Sequence, residues 1–192
     1  FDSRVTAAHC VHVTDSDTAL LRRYGVTAVH CPSSNLKLGS GVAPVPKLLE
    51  KGVNVALGTD GASSNNNLNL FEELHLAAML HRGVAADPSL LPPAEMLKIA
   101  AANGAAAQGR GDTGVIRAGY KADFAVLNLN KPHLTPAHDL LSAAVFAAQG
   151  SDVEMTVADG KILYRDGKFL TFDVFEAMER SAAAAKRIAA TL

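Results

Sequence analysis

Asp60 stands in the run Gly58-Thr59-Asp60-Gly61, directly after the apolar stretch Val53-Asn54-Val55-Ala56-Leu57. A carboxylate at the end of a buried strand, with a glycine on one side and a Gly-Thr pair on the other, is uncrowded and can meet a metal ion, a water or a substrate proton. The same position also suits an aspartate that only caps a turn, so position alone leaves both readings open. His9 ends a comparable stretch, Val5-Thr6-Ala7-Ala8. Polar groups at the same end of neighbouring parallel strands converge, and barrel enzymes place their chemistry at that end. An imidazole and a carboxylate brought together there form a candidate catalytic pair, whereas a histidine alone at a strand end is more often structural. His30 follows the strand 26–29 and is a further candidate for contact with a substrate, against a competing structural role.

Other groups carry less. Cys10, His12, His30 and Cys31 fit no familiar structural-zinc spacing, and adjacent strand residues point to opposite faces, which sends Cys10 away from His9. His75 and His81 lie six apart on an expected helix and miss the i, i+4 spacing that puts two ligands on one face. There is no Gly-x-x-x-x-Gly-Lys phosphate loop. The sequence also lacks a His-x-Glu with a following Pro-Cys-x-x-Cys, which excludes the cysteine-ligated deaminases.

The elements that must position these residues follow a repeat of strand, polar tip and helix. The expected strands are 4–8, 26–29 and 53–57; the expected helices are 16–24, capped by Asp15 or Ser16 and closed by Gly25, then 45–51, closed by Gly52, and 68–82. A polar tip, 30–35, follows the second strand. Alternation of buried strands with helices predicts parallel β/α units. Three units cannot close an eight-unit barrel, which takes about 250 residues. The missing strands are therefore expected upstream of Phe1, where the absence of Met reads as a cut.

Beyond a helix at 93–103 the pattern changes. A strand at 122–129 precedes a hairpin of 153–158 with 161–164, turning at Asp159-Gly160, a strong hairpin dipeptide. A strand at 168–171 follows Asp166-Gly167, and an alanine-rich helix covers 172–192. The expected organisation is thus 1–110 as the last β/α units of a barrel, 111–172 as a small β-domain segment with a connecting helix, and 173–192 as a C-terminal helix.

Composition narrows the partners. The 192 residues are 48% hydrophobic and 19% charged, with a net charge of −1, which fits a folded globular chain with no basic field for nucleic acid or an anionic membrane. No apolar run approaches the roughly 18 residues that span a bilayer. Two cysteines are too few for a disulfide framework. A cytosolic protein acting on a small molecule is the expectation.

Three blocks carry a resemblance. They are Ala7-Ala8-His9-Cys10-Val11-His12-Val13, His30-Cys31-Pro32-Ser33-Ser34-Asn35 continuing to Pro44, and Gly58-Thr59-Asp60-Gly61-Ala62-Ser63-Ser64-Asn65-Asn66. In this order they resemble the amidohydrolase superfamily, with the nearest likeness to 5′-methylthioadenosine/S-adenosylhomocysteine deaminases and triazine hydrolases. The likeness continues through Gly114-Val115-Ile116 and Gly119-Tyr120-Lys121-Ala122-Asp123-Phe124, and so covers nearly the whole chain. It implies an α/β fold: the C-terminal portion of a metal-dependent hydrolase (β/α)8 TIM-like barrel, plus part of a small β-sandwich domain.

The resemblance also implies a chemistry. Family members hold one divalent metal, usually zinc, with iron or manganese as alternatives, through a His-x-His pair, a further histidine and an aspartate. Asp60 matches the aspartate; the other ligands, and a glutamate that protonates a purine nitrogen, would precede Phe1. By the same resemblance Asp60 moves the proton of the attacking water to departing ammonia, and His9 hydrogen-bonds the attacking oxygen. Substrate contact falls to Asp60, His9 and His30. The implied reaction is hydrolytic deamination of S-adenosylhomocysteine or methylthioadenosine. Another purine deaminase or a triazine chlorohydrolase or aminohydrolase are alternatives, and a non-catalytic fragment is the alternative of another class. A homo-oligomer is common in the family. Asp123, in the later block, is left out of the site.

Overall fold

The computed structural model describes residues 4–191. Its first three strands are Thr6–Ala8 (β1), Thr27–His30 (β2) and Val55–Leu57 (β3), which pair in parallel in that order, with Ala8 beside Val29 and His30 beside Leu57. The crossovers between them are helical, as parallel pairing demands: Asp15–Arg23 (α1) after β1, then Pro32–Lys37 (α2) and Val45–Glu50 (α3) after β2. Ala62–Asn65 (α4) and Leu70–Ala85 (α5) follow β3. The C-terminal ends of all three strands therefore lie together and carry His9, His30 and the Gly58-Thr59-Asp60 turn.

Several expectations are corrected in detail. The cap of α1 is Thr14, not Asp15 or Ser16: its hydroxyl accepts from Asp17 N–H while the Asp17 carboxylate accepts from Thr14 N–H, a reciprocal capping box. The third strand starts at Val55 instead of Val53, because Val53 N–H is taken by Leu48 O in closing α3. The stretch expected as a polar tip at 30–35 is largely the first turns of α2, with Pro32 at the start, where its missing N–H costs nothing.

The helix expected over 93–103 is two, Pro93–Ala100 (α6) and Ala102–Ala107 (α7), broken at Ala101. The break turns Asn103 onto the sheet: its amide donates to Val55 O at 2.9 Å, and its carbonyl accepts from Asn54 Nδ2 at 3.2 Å. Two asparagines thus latch α7 to β3.

The remaining strands, Phe124–Leu127 (β4), Val153–Ala158 (β5), Lys161–Arg165 (β6) and Lys168–Phe169 (β7), form a four-stranded antiparallel sheet in sequence order. Both turns form where expected, with Asp159 and Gly160 at φ 49° and 74° and Asp166 and Gly167 at 49° and 80°, the left-handed values a two-residue hairpin requires. Between β4 and β5 lies a helix, Leu140–Phe146 (α8), capped by Asp139, within the stretch where a connecting helix is expected. The last helix is Val174–Ala189 (α9), capped by Asp173.

The main core lies between the parallel sheet and its helices. Val26, Ala28, Val55, Leu48, Leu74, Ala78, Met96 and Ile99 are all at most 3% exposed and join Val145 of α8 in one cluster. A buried side chain of this size contributes about 1.5–3 kcal/mol, so this layer fixes the strand ends in place. Because α8 packs on α5 and α6, the stretch 111–172 contributes to this core as well as to the antiparallel sheet.

Candidate active site

His9 and Asp60 meet at the strand ends. His9 follows β1 at φ 68° and Asp60 follows β3 at φ 62°, a conformation uncommon for residues other than glycine that recurs at functional sites held by their surroundings. His9 Nε2 lies 3.8 Å from Asp60 Oδ2, with the two side chains 40% and 32% exposed. Gly58 lets the end of β3 lie close against β2, since a Cβ there would stand 2.9 Å from Val29 Cγ1 and 3.4 Å from Cys31 Sγ. Gly61 has no such role, because its Cβ would meet open space at an ordinary φ.

Asp60 Oδ2 accepts from Ser34 Oγ at 2.7 Å and Ser64 Oγ at 2.6 Å. These hydroxyls, Ser64 first, with Gly61 N–H and the nearby His9, hold the Asp60 carboxyl down to about 2. It is an anion at every physiological pH. His9 Nδ1 lies 2.8 Å from Asn35 Oδ1; with that oxygen accepting, the proton of a neutral ring sits on Nδ1 and Nε2 turns a lone pair to the site. Ser34 and Asn35 are 1% and 2% exposed, so both are fixed by packing. Asn35 Nδ2 is buried without a partner among the described residues.

Behind these groups lies Glu73, a residue the sequence did not single out. It occupies the first turn of α5, is 1% exposed, and accepts from Ser33 N–H at 3.1 Å and Asn65 Nδ2 at 2.7 Å. Its signal was a carboxylate on the apolar stripe that also contains Leu70, Ala77 and His81, where a charge needs a partner.

His30 is not brought to the pair. Its ring is 3% exposed and faces α5, where Nε2 lies 3.2 Å from His81 Nε2; burial, then the charge of His81, pulls it down to about 3, and burial alone pulls His81 to about 4. Both are neutral core histidines. Cys31 is buried, and burial with the neighbouring carboxylates raises its thiol to about 11. Cys10 donates to Ala7 O at 3.3 Å and packs on the core. His75 stacks edge-on with Phe146. Asp123 accepts from Thr113 Oγ1 and Asp159 N–H beside the antiparallel sheet, in a structural role.

Among the described residues no group of three or more His, Cys, Asp or Glu side chains could hold a metal ion. Asp60 fits as one ligand: it is a fixed anion, its two serine bonds fall on Oδ2, and no side-chain hydrogen bond reaches Oδ1 among the described residues. A zinc site takes about four donors, and the rest of such a set is not found among the described residues.

The sequence pattern of the amidohydrolase family matches residues 1–163. The chain belongs to the amidohydrolase family. This amidohydrolase chain is 51% identical over 174 residues to the 5-methylthioadenosine/S-adenosylhomocysteine deaminase of Acetivibrio thermocellus, covering 90% of itself and 40% of that protein. It is 48% identical over 190 residues to the 5′-deoxyadenosine deaminase of Methanosarcina mazei, covering 99% of itself and 44% of that protein. In structure it resembles an adenosine deaminase from Xanthomonas campestris solved with bound zinc, with a TM-score of 0.93 at 36% identity over 97% of this chain and 43% of that one. The amidohydrolase chain thus spans about two fifths of the length of the relatives it matches. Its α/β architecture is that of the later part of an amidohydrolase barrel with strands of the accompanying β domain.

Proposed function

We propose that the chain supplies the aspartate side of the active site in a metal-dependent deaminase that hydrolyses the amino group from adenosine-type nucleosides. 5′-Methylthioadenosine, S-adenosylhomocysteine and 5′-deoxyadenosine are the substrates that the names of similar proteins suggest. The observation that carries the reading is the Asp60 carboxylate, kept ionised by two serines and facing the His9 imidazole at 3.8 Å. Such a pair suits acid–base chemistry on a neutral carbon–nitrogen centre.

In this reading the remaining strands and metal ligands come from sequence before the chain, which the exposed Thr6 and Ala8 of the edge strand β1 and the coverage of two fifths of the relatives support. Asp60 is then a ligand to one divalent metal, zinc first, with iron or manganese as alternatives. When bound, such a metal supplies Lewis acidity that makes water a nucleophile near neutral pH.

The chain's own residues handle the water and the leaving amine, while the proton for the purine nitrogen comes from a glutamate outside this chain, as the family resemblance implies. The Asp60 carboxylate takes the proton of the attacking water and returns it to the amino nitrogen, so that the carbon–nitrogen bond breaks with ammonia as the leaving group. Ser34 and Ser64 fix the carboxylate so that it does not rotate during this transfer. His9, oriented by Asn35, accepts a hydrogen bond from the attacking water at Nε2 and so fixes its direction of approach. The absence of a basic field, at net charge −1, suits a small nucleoside and not a nucleic acid, and no helix among the described residues is long and apolar enough to cross a membrane.

The test is ammonia release by the full-length protein from S-adenosylhomocysteine, methylthioadenosine, 5′-deoxyadenosine and guanine, measured side by side before and after chelation and zinc return. Turnover of an adenosine substrate that chelation abolishes and zinc restores is expected. No release from any of the three adenosine substrates would defeat the proposal.

A further inference from the structure

We infer that Glu73 is a positioning residue that holds both halves of the His9–Asp60 site in register through two separate segments of chain. The inference rests on the reading above for its catalytic meaning, though its geometry stands apart from it.

Each oxygen of Glu73 serves a different segment. Oε2 accepts from the backbone N–H of Ser33, in the first turn of α2. That N–H is one of the donors that a helix start leaves without an intrahelical partner, and Cys31, at the cap position, offers no side-chain hydrogen bond to it. A carboxylate from another helix therefore does the work of a cap. The two residues that follow are Ser34, which donates to Asp60, and Asn35, which binds His9. The turn that Glu73 anchors thus carries one support for each member of the pair.

Oε1 accepts from Asn65 Nδ2, at the end of α4. The same amide nitrogen donates to Thr59 O at 2.7 Å, fixing the peptide just before Asp60. Ser64, the residue before Asn65, is the second hydroxyl on Asp60. Asp60 at φ 62° is in a conformation that persists only when its neighbours impose it, and the chain from Glu73 through Asn65 to Thr59 O is such an imposition. A buried carboxylate with apolar neighbours on its own helix is costly unless both oxygens are used. Here both are, and both bonds lead to the site.

Glu73→Gln tests this with little change of shape. A glutamine can accept from Ser33 N–H or from Asn65, but its NH2 then faces the other donor, so one segment loses its anchor. In the full-length protein, assayed well below the melting temperature of the variant, kcat is expected to fall about 10- to 100-fold with KM little changed, and zinc affinity to fall by a similar factor, as when an outer partner of a metal ligand is removed. A third readout needs neither metal nor substrate: the imidazole 15N signals of His9 in the metal-free protein should move, although Glu73 makes no hydrogen bond to His9.

A variant that melts lower while keeping wild-type kcat, zinc affinity and His9 signals would show Glu73 to be a fold brace only, and would overturn the inference. Should the glutamine variant fail to fold, Glu73→Asp, which keeps the charge but reaches only one of the two donors, supplies the same three readings. If the wild-type protein itself deaminates no adenosine substrate, the proposed reaction falls, and the His9 signals still decide for or against Glu73.

Discussion

His9 Nε2 sits 3.8 Å from Asp60 Oδ2, and one short helix sets that separation from behind. Consecutive residues of α2 hold the two partners, Ser34 on Asp60 and Asn35 on His9. Both residues are nearly fully buried, at 1% and 2% exposure, so packing holds the two side chains against the pair they support.

Removing the hydroxyls should therefore weaken the site by steps. Ser34→Ala and Ser64→Ala each remove one of the two side-chain donors to Asp60 Oδ2, and each is expected to cost about 10- to 100-fold in activity or zinc affinity. Because both act on one oxygen, their effects should not add. Steady-state kinetics and zinc competition on the singles and the double variant check this; additive effects would mean that the serines act on different things.

Asn35→Leu separates orientation from stability. The change removes the acceptor that fixes the His9 tautomer, and also removes Asn35 Nδ2, buried without a partner among the described residues, an atom whose burial costs about 1–3 kcal/mol. Activity is expected to fall about 10- to 100-fold while urea unfolding shows stability held or raised. A marked loss of stability would argue that Asn35 serves the fold first.

The His30–His81 pair predicts a pH dependence of folding. Both are held neutral in the folded chain, at about 3 and about 4, against an ordinary 6.5. Below about pH 6.5 the unfolded chain takes up protons that the folded chain refuses, so stability falls as pH drops from 6.5 toward 4 and does not depend on these groups above that window. The slope is at most about 1.4 kcal/mol per pH unit for each histidine. Urea unfolding at pH 7, 6 and 5 should show the decline, and His81→Gln, which keeps a polar partner for His30 and removes one titrating ring, should make it shallower. An unchanged slope in that variant would count against the pair.

Thr14→Ala tests the cap of α1, whose hydrogen bonds do not include His9 or Asp60. Loss of the hydroxyl that accepts from Asp17 N–H is expected to destabilise the chain by about 0.5–2 kcal/mol, read as a lower urea midpoint with kcat unchanged.

The strand order, the parallel start, the hairpin at Asp159-Gly160 and the placing of His9 and Asp60 at strand ends were legible in the sequence, whereas α2, α4 and the break between α6 and α7 were not. Apolar runs, glycines and turn dipeptides act over a few residues, and those signals are local. Element ends were less legible, because Val53 could join either β3 or the close of α3, and Leu48 O decided it.

What the sequence alone could not decide was which polar residues serve the site. Ser34, Asn35, Ser64 and Asn65 read equally well as turn formers, and Glu73 as one more charge on a helix. Only the tertiary structure turns Glu73 inward against Ser33 and Asn65, and turns His30 outward onto His81. The reason is that most buried polar atoms are held by a partner within about 3 Å. In this site Ser34 and Asn35 lie 26 residues from Asp60 and His9, and Ser33 lies 40 from Glu73, where only packing of the sheet and helices can bring them together.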